Sequence, residues 1–96
     1  MSERDAYVQK LKAQIDEWNA ELDKMEAQME KASADAKQNL ESQLEQLRSQ
    51  REEAYKAMKE LQQSNEGAWK DMQSRAEAAF NDMKDGMEKA WTRFKQ

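Results

Sequence analysis

The sequence predicts an all-α protein of long amphipathic helices, folded as an antiparallel helical hairpin or as an extended coiled coil, and oligomeric. Three observations predict it. The 96 residues contain no Pro and only two Gly, so helix-breaking positions are scarce. Ala, Glu, Lys, Leu and Arg make up about half of the chain, the composition of long helices. Apolar residues recur three and four positions apart along almost the whole length, the spacing of one helix face. Leu, Ile, Val and Phe together number only ten. That is thin for an ordinary globular core, and it is matched to narrow helix seams instead.

The first element is a heptad helix over residues 1–63. Its seam runs Val8, Leu11, Ile15, Trp18, Leu22, Met25, Met29, Ala32 and Ala36, with alternating steps of three and four. Ser2-Glu3-Arg4-Asp5 reads as a capping box with Asp in the place of Glu. From Ala36 through Leu40 to Leu44 the steps become four and four. This stutter near 36–44 would locally unwind a supercoil. The heptad resumes with Leu44, Leu47, Arg51, Ala54, Met58 and Leu61. Arg51 falls on the seam, where its methylenes are expected to pack and its guanidinium to reach the edge. The Ala-rich stretch from Ala32 to Asn39 is a soft spot, although it holds no Gly or Pro.

Ser64-Asn65-Glu66-Gly67 is the stretch best suited to a turn. Ser and Asn favour an N-cap, and Gly favours a reversal. The hairpin reading places the turn at 64–67, with helices at about 3–63 and 67–95.

Residues 68–96 form the last helix, with a different period. Met58, Leu61, Asn65, Trp69, Met72, Ala76, Phe80, Met83, Met87, Trp91 and Phe94 step by three, four and four. That is an eleven-residue repeat, which stays in phase on a nearly straight helix. Met58, Trp69, Phe80 and Trp91 share its first position. Gly86 falls off this stripe and marks a weak point. Acid-before-base pairs such as Asp71 with Arg75 and Asp85 with Lys89 each add about 0.2–0.5 kcal/mol.

The missing residue types exclude several functions. Without Cys there is no disulfide or thiolate metal site, and without His the commonest general base is absent. No Gly-rich phosphate loop is present, and Asp16-Glu17 and Glu52-Glu53 diverge on a helix. No catalytic, cofactor-binding or metal site is therefore expected, and the protein reads as non-enzymatic. The net charge is −4. Residues 1–64 carry 10 basic and 14 acidic side chains and residues 65–96 carry six of each, so no basic patch exists for nucleic acid. The start is polar and no apolar run reaches about 20 residues, the length of a membrane span. A soluble, cytoplasmic protein is expected, with peripheral attachment to a membrane as the alternative.

The candidate functional residues are the two stripes. Val8, Leu11, Ile15, Trp18, Leu22, Met25, Met29, Leu44 and Leu47 form the heptad seam. Met58, Leu61, Trp69, Met72, Ala76, Phe80, Met83, Met87, Trp91 and Phe94 form a helix-packing or lipid-facing stripe. The packing reading is preferred, because core and lipid faces share this spacing and the flanking charges are mixed.

The opening, from Ser2-Glu3-Arg4-Asp5-Ala6-Tyr7-Val8 to Ile15-Asp16-Glu17-Trp18-Asn19, is similar to a family of small bacterial coiled-coil proteins described as stress-response proteins. Ala68-Trp69-Lys70-Asp71-Met72 and its echo at Ala90-Trp91 are similar to that family as well. The resemblance implies a cytoplasmic helical protein with no established activity and no catalytic residues to carry over. The C-terminal repeats are similar in pattern to exchangeable apolipoproteins, although the prolines between repeats are missing. That likeness implies lipid association. Phasin-like granule coats are a further helical analogue, without a motif in common.

The expected function is thus a coiled-coil structural or interaction protein that forms a homo-oligomer, with a place in the stress response. Two alternatives use the stripe over residues 58–94. One is peripheral binding of a lipid or other hydrophobic surface. The other is holdase-like capture of exposed apolar segments of proteins through a Met-rich face.

Overall fold

Each stripe needs a cover, and a chain with several stripes covers them by folding back on itself. The computed structural model describes residues 3–94. It has three helices: α1 (Glu3–Glu30), α2 (Ala34–Gln63) and α3 (Trp69–Phe94). They pack side by side as a bundle of 51 × 19 × 17 Å. A 30-residue helix is about 45 Å long, so each helix runs nearly the full length. Two reversals place α2 antiparallel to its neighbours and α1 parallel to α3. The capping box at Ser2 lies outside the described residues.

The single helix expected over residues 3–63 is two helices. The chain turns back at residues 31–33, inside the Ala-rich soft spot. Ser33 is extended, at φ −65° and ψ 162°, and its hydroxyl accepts the Ala36 N–H at 3.4 Å. Its carbonyl accepts the Lys37 N–H at 2.8 Å, and Asp35 stands in the first turn of α2, where a carboxylate complements the helix dipole. The amides of Lys31 and Ala32 bond three residues back, to Gln28 and Met29, which tightens the end of α1. The stutter is therefore the place where one stripe ends and another begins. Ala36 is exposed and Leu40 only half-buried. Glu26 with Arg48 at 2.9 Å and Glu30 with Lys37 at 3.5 Å bridge α1 to α2 near this end. Both pairs are exposed and each contributes at most about 1 kcal/mol.

The second reversal occupies residues 64–68. Ser64 is extended, and its N–H and hydroxyl both donate to the Leu61 carbonyl, at 3.2 and 2.7 Å. The Asn65 side chain accepts the Ala68 N–H at 2.9 Å. Arg4, from the start of α1, donates to the Ser64 carbonyl, placing a cation at the negative end of α2. Gly67 does not adopt a positive φ. The turn thus rests on Ser64 and Asn65 rather than on glycine's conformational freedom.

The core is one continuous cluster. The seam residues Val8, Leu11, Ile15, Trp18, Leu22, Met25 and Met29 on α1 and Leu44 and Leu47 on α2 are buried, whereas Ala32 and Arg51 are half-buried and Ala36 is exposed. Met25, Leu44, Met58, Leu61 and Met83 are the largest side chains fully withdrawn from water. Arg51 lies on the seam as a half-buried residue; its terminal guanidinium nitrogen meets Glu52 on its own helix at 2.7 Å while its Nε stays buried.

The two seams of α3 differ in character. Toward α1 it presents rings: Trp69 meets Tyr7 edge-on at 5.9 Å, and Phe80 meets Trp18 at 5.2 Å. The second pair stands eleven residues after the first on both helices, so α1 and α3 run in register. Toward α2 it presents small residues, and α3 has its most extensive close approach with α2. Gly86 sits there, half-buried. A Cβ on it would lie 2.5 Å from Gln50 Oε1 and 3.1 Å from Leu47 Cδ2. Gly86 is therefore a contact point between helices and not a weak point off the stripe. Ala79, one heptad earlier, and Ala90, one turn later, share that side.

Gly86→Ala is expected to stabilise the bundle by about 0.5 kcal/mol. Alanine gains about 1 kcal/mol of helix propensity, and the obstructing Gln50 amide is the free end of a flexible side chain. Gly86→Leu overpacks the same gap and should cost about 1–3 kcal/mol. Urea midpoints check both. A destabilised Ala variant would mean that Leu47 cannot yield.

Candidate functional site

Chemistry at a protein surface is favoured where polar groups converge out of water. Among the described residues no polar or charged side chain is fully buried. No group of three or more His, Cys, Asp or Glu is placed to hold a metal ion. The expected pairs Asp71–Arg75 and Asp85–Lys89 are not among the ion pairs of the described residues; exposed pairs of this kind gain little by closing. The candidate site is thus the apolar stripe and the grooves around it.

The stripe over residues 58–94 is not one helix face. Met58 and Leu61 belong to α2, and the residues from Trp69 to Phe94 belong to α3, which runs back beside it. Asn65, in phase between them, is exposed in the turn. On α3, Ala76, Phe80, Met83, Met87 and Phe94 are buried, while Trp69, Met72 and Trp91 are half-buried. Helix packing accounts for all of these positions in the closed bundle. Trp91 also stacks edge-on against Phe94 at 6.4 Å.

Grooves flank the packed stripe. One, of about 220 Å³, lies between α1 and α3, where Trp18, Met87 and Trp91 are walled by Glu17, Glu21, Lys84 and Glu88. A second, of about 350 Å³, runs between α2 and α3 over Gly86, with Gln43, Gln46 and Gln50 on one wall and Asp82, Asp85, Lys89 and Arg93 on the other. Gln50 Oε1 beside it, and Arg51 Nε, are buried without a hydrogen-bond partner. A third is an 840 Å³ hollow at the end of the bundle, between the first reversal and the end of α3. Ala32, Ala36, Leu40 and Phe94 give it an apolar floor, and Lys31 and Arg93 stand at its edge.

Sequence reasoning missed the Arg4 clasp on Ser64 and the Gly86 contact. The second carried a signal: Ala76, Ala79, Met83, Gly86 and Ala90 follow the steps three, four, three and four, a heptad of mostly small residues beside the eleven-residue stripe. The first carried none, because its partners lie at opposite ends of two helices.

Tyr7 has a distinct electrostatic setting. Burial against Trp69 raises its phenol above the ordinary value, and the Glu77 carboxylate raises it further. The folded chain thus holds the phenol proton more tightly than the unfolded chain does. That contribution is intact below the ordinary phenol pKa of about 10 and is lost as the pH rises beyond it. Urea midpoints measured between about pH 9 and 11 should fall less steeply for Tyr7→Phe than for the parent. Parallel curves would remove Tyr7 from the account.

Comparisons of the chain with protein-family models, with curated proteins and with solved structures give no match. No helix among the described residues is long and apolar enough to cross a membrane.

Proposed function

We propose that this chain is a non-enzymatic helical interaction protein that associates with further copies of itself. One observation carries the reading: the large apolar side chains of all three helices are spent mainly on helix–helix packing. Among the described residues only Tyr55 is an exposed large hydrophobic residue, at 40%, so the surface of the described bundle offers little apolar area for a partner. Partners are gained by exchanging the internal contacts for equivalent ones. A role under stress belongs to the same reading through the resemblance of residues 1–19 to the stress-response coiled-coil proteins. Sedimentation equilibrium from about 10 µM to 1 mM tests it. A dimer fraction rising with concentration is expected, and a monomer throughout that range would end the reading.

A second reading, binding of a lipid surface, is favoured by the α1–α3 seam. Aromatic rings hold these two helices together, and Trp69, Met72 and Trp91 are already half-open to solvent. Parting α1 from α3 would present Trp69, Phe80 and Trp91 along one line, a row suited to the bilayer interface. Co-flotation with neutral and with anionic vesicles, comparing the parent with Trp69→Glu/Phe80→Glu, tests it. Loss of flotation in the variant is expected. Absence of flotation by the parent on both vesicle types would reject a lipid face.

A further inference from the structure

We infer that residues 31–33 are a hinge, and that two copies of this chain associate by straightening it and exchanging their α1 helices. The inference rests on the self-association reading and names its mechanism. The partner is a second copy, because only that copy offers α1 the same α2–α3 face that α1 leaves.

The local geometry is close to helical already. Ser33 has φ −65°, a helical value, and only its ψ of 162° is extended. None of residues 31–33 is Gly or Pro, and none has a positive φ. Lys31 and Ala32 are good helix formers, and Ser is acceptable inside a helix. Rotation about one bond at Ser33, with a slight loosening of the last turn of α1, would join α1 to α2. The resulting 61-residue helix would be about 90 Å long.

The two reversals are fastened unequally. Residues 64–68 are held by the Ser64 hydroxyl on Leu61, by the Asn65 cap at 2.9 Å and by Arg4 from another helix. Residues 31–33 are held by one long side-chain cap at 3.4 Å, by the Lys31 and Ala32 amides on Gln28 and Met29, and by the exposed Glu30–Lys37 and Glu26–Arg48 pairs, with no clasp from α3 among the described residues. The first reversal therefore opens and the second stays closed. The swapped element is α1, and α2 with α3 remains as its socket.

The stripe also continues through the hinge. Met29, Ala32, Ala36 and Leu40 follow helical spacing across residues 31–33. In the closed bundle this stretch is poorly covered: Ala36 is exposed, Ala32 and Leu40 are half-buried, and the 840 Å³ hollow lies over them. In an exchanged pair the two straightened helices cross at this point. Ala32 and Ala36 have side chains small enough for close backbone approach, and Leu40 gains cover. Exchange thus keeps the contacts of each bundle and adds new ones at the crossing.

Two substitutions act on the hinge in opposite directions. Ala34→Pro fits the closed form, because proline suits the first helical position and the extended Ser33 suits the residue before it. Inside a straightened helix it would break the backbone, lowering dimerisation more than about 100-fold. Ser33→Ala removes the cap of the closed form, favouring the open form about 5-fold per hinge and so about 25-fold per dimer. Both full-length variants and the parent are compared by light scattering after size exclusion, with circular dichroism to confirm helicity. Spin labels at Ala13→Cys and Lys56→Cys, diluted with unlabelled chain, then report the distance within one copy. Adjacent helices keep the labelled sites about one interaxial spacing apart, roughly 10 Å plus the label arms, whereas a straightened helix sets them about 65 Å apart. The expected result is a dimer with the long distance that Ala34→Pro abolishes and Ser33→Ala enriches. A dimer that Ala34→Pro leaves intact, with only the short distance, would overturn the exchange while leaving self-association standing. Monomers throughout, in Ser33→Ala as in the parent, would overturn both.

Discussion

Trp18→Ala is expected to lower the stability of the bundle by about 3–5 kcal/mol, the cost of removing a large buried ring. Domains of this size are stable by about 5–15 kcal/mol in total, so the variant should stand close to its unfolding midpoint without denaturant. Trp18 is buried to 4% exposure in the middle of α1 and stacks on Phe80. It joins two helices whose backbones have few other close approaches. The loss therefore falls on one seam, with little chance for neighbours to collapse into the gap. Trp18→Phe keeps a ring at the site and should recover most of the loss. Urea denaturation followed by circular dichroism measures these values. A double-mutant cycle with Phe80→Ala should show a coupling of about 0.5–1.5 kcal/mol between the rings. If Trp18→Ala shifts stability by less than about 1 kcal/mol, the ring does not hold the seam.

Met83→Glu is expected to unfold the chain at neutral pH. Met83 is fully buried within the apolar core cluster. An unpaired buried charge costs several kcal/mol. The sign with pH is opposite to that of an ion-paired acid. Burial raises the folded-state pKa of the new carboxyl above the ordinary glutamate value of about 4.3, so the penalty is full at neutral pH and fades as the pH falls toward that value. Helicity should return on mild acidification. Met83→Leu, similar in volume and apolar, should stay within about 1.5 kcal/mol of the parent. A Met83→Glu variant that kept the parent's midpoint at pH 7 would contradict the burial of this face.

How much of this was legible in the sequence differs from element to element. Helical class and the buried faces were readable because spacing alone selects which side chains share a face. Val8 to Met29 is one uninterrupted heptad and forms one helix. The break at residues 31–33 was harder to read. Its signals, Ser33 as a cap with Asp35 behind it, are also compatible with a continuous helix, and the stutter at Ala36–Leu40–Leu44 was read as a supercoil adjustment. Tertiary packing decided the matter: doubling back lets one chain cover its own seam. At residues 64–67 the turn residues Ser64, Asn65 and Gly67 marked the reversal even though the apolar phase runs from Leu61 through Asn65 to Trp69, since phase can persist across a reversal without a helix beneath it. At Gly86 the sequence showed a residue of poor helix propensity but could not show Gln50 and Leu47 pressed against it. The apolar stripe of the candidate site was visible in full, while its division between α2 and α3 depended on the turns.

The shortness of the two reversals also orders events in time. Three and five residues close quickly, and loops of about ten residues already close in roughly 10–100 ns. Pairing α1 with α2 and α2 with α3 joins neighbours in the chain, which favours folding in microseconds to milliseconds. The rings of Tyr7 and Trp18 meet Trp69 and Phe80 only after both hairpins bring α1 and α3 together. Contact between the Trp18 and Phe80 rings should therefore mark a late event of folding, after the rise of helical signal.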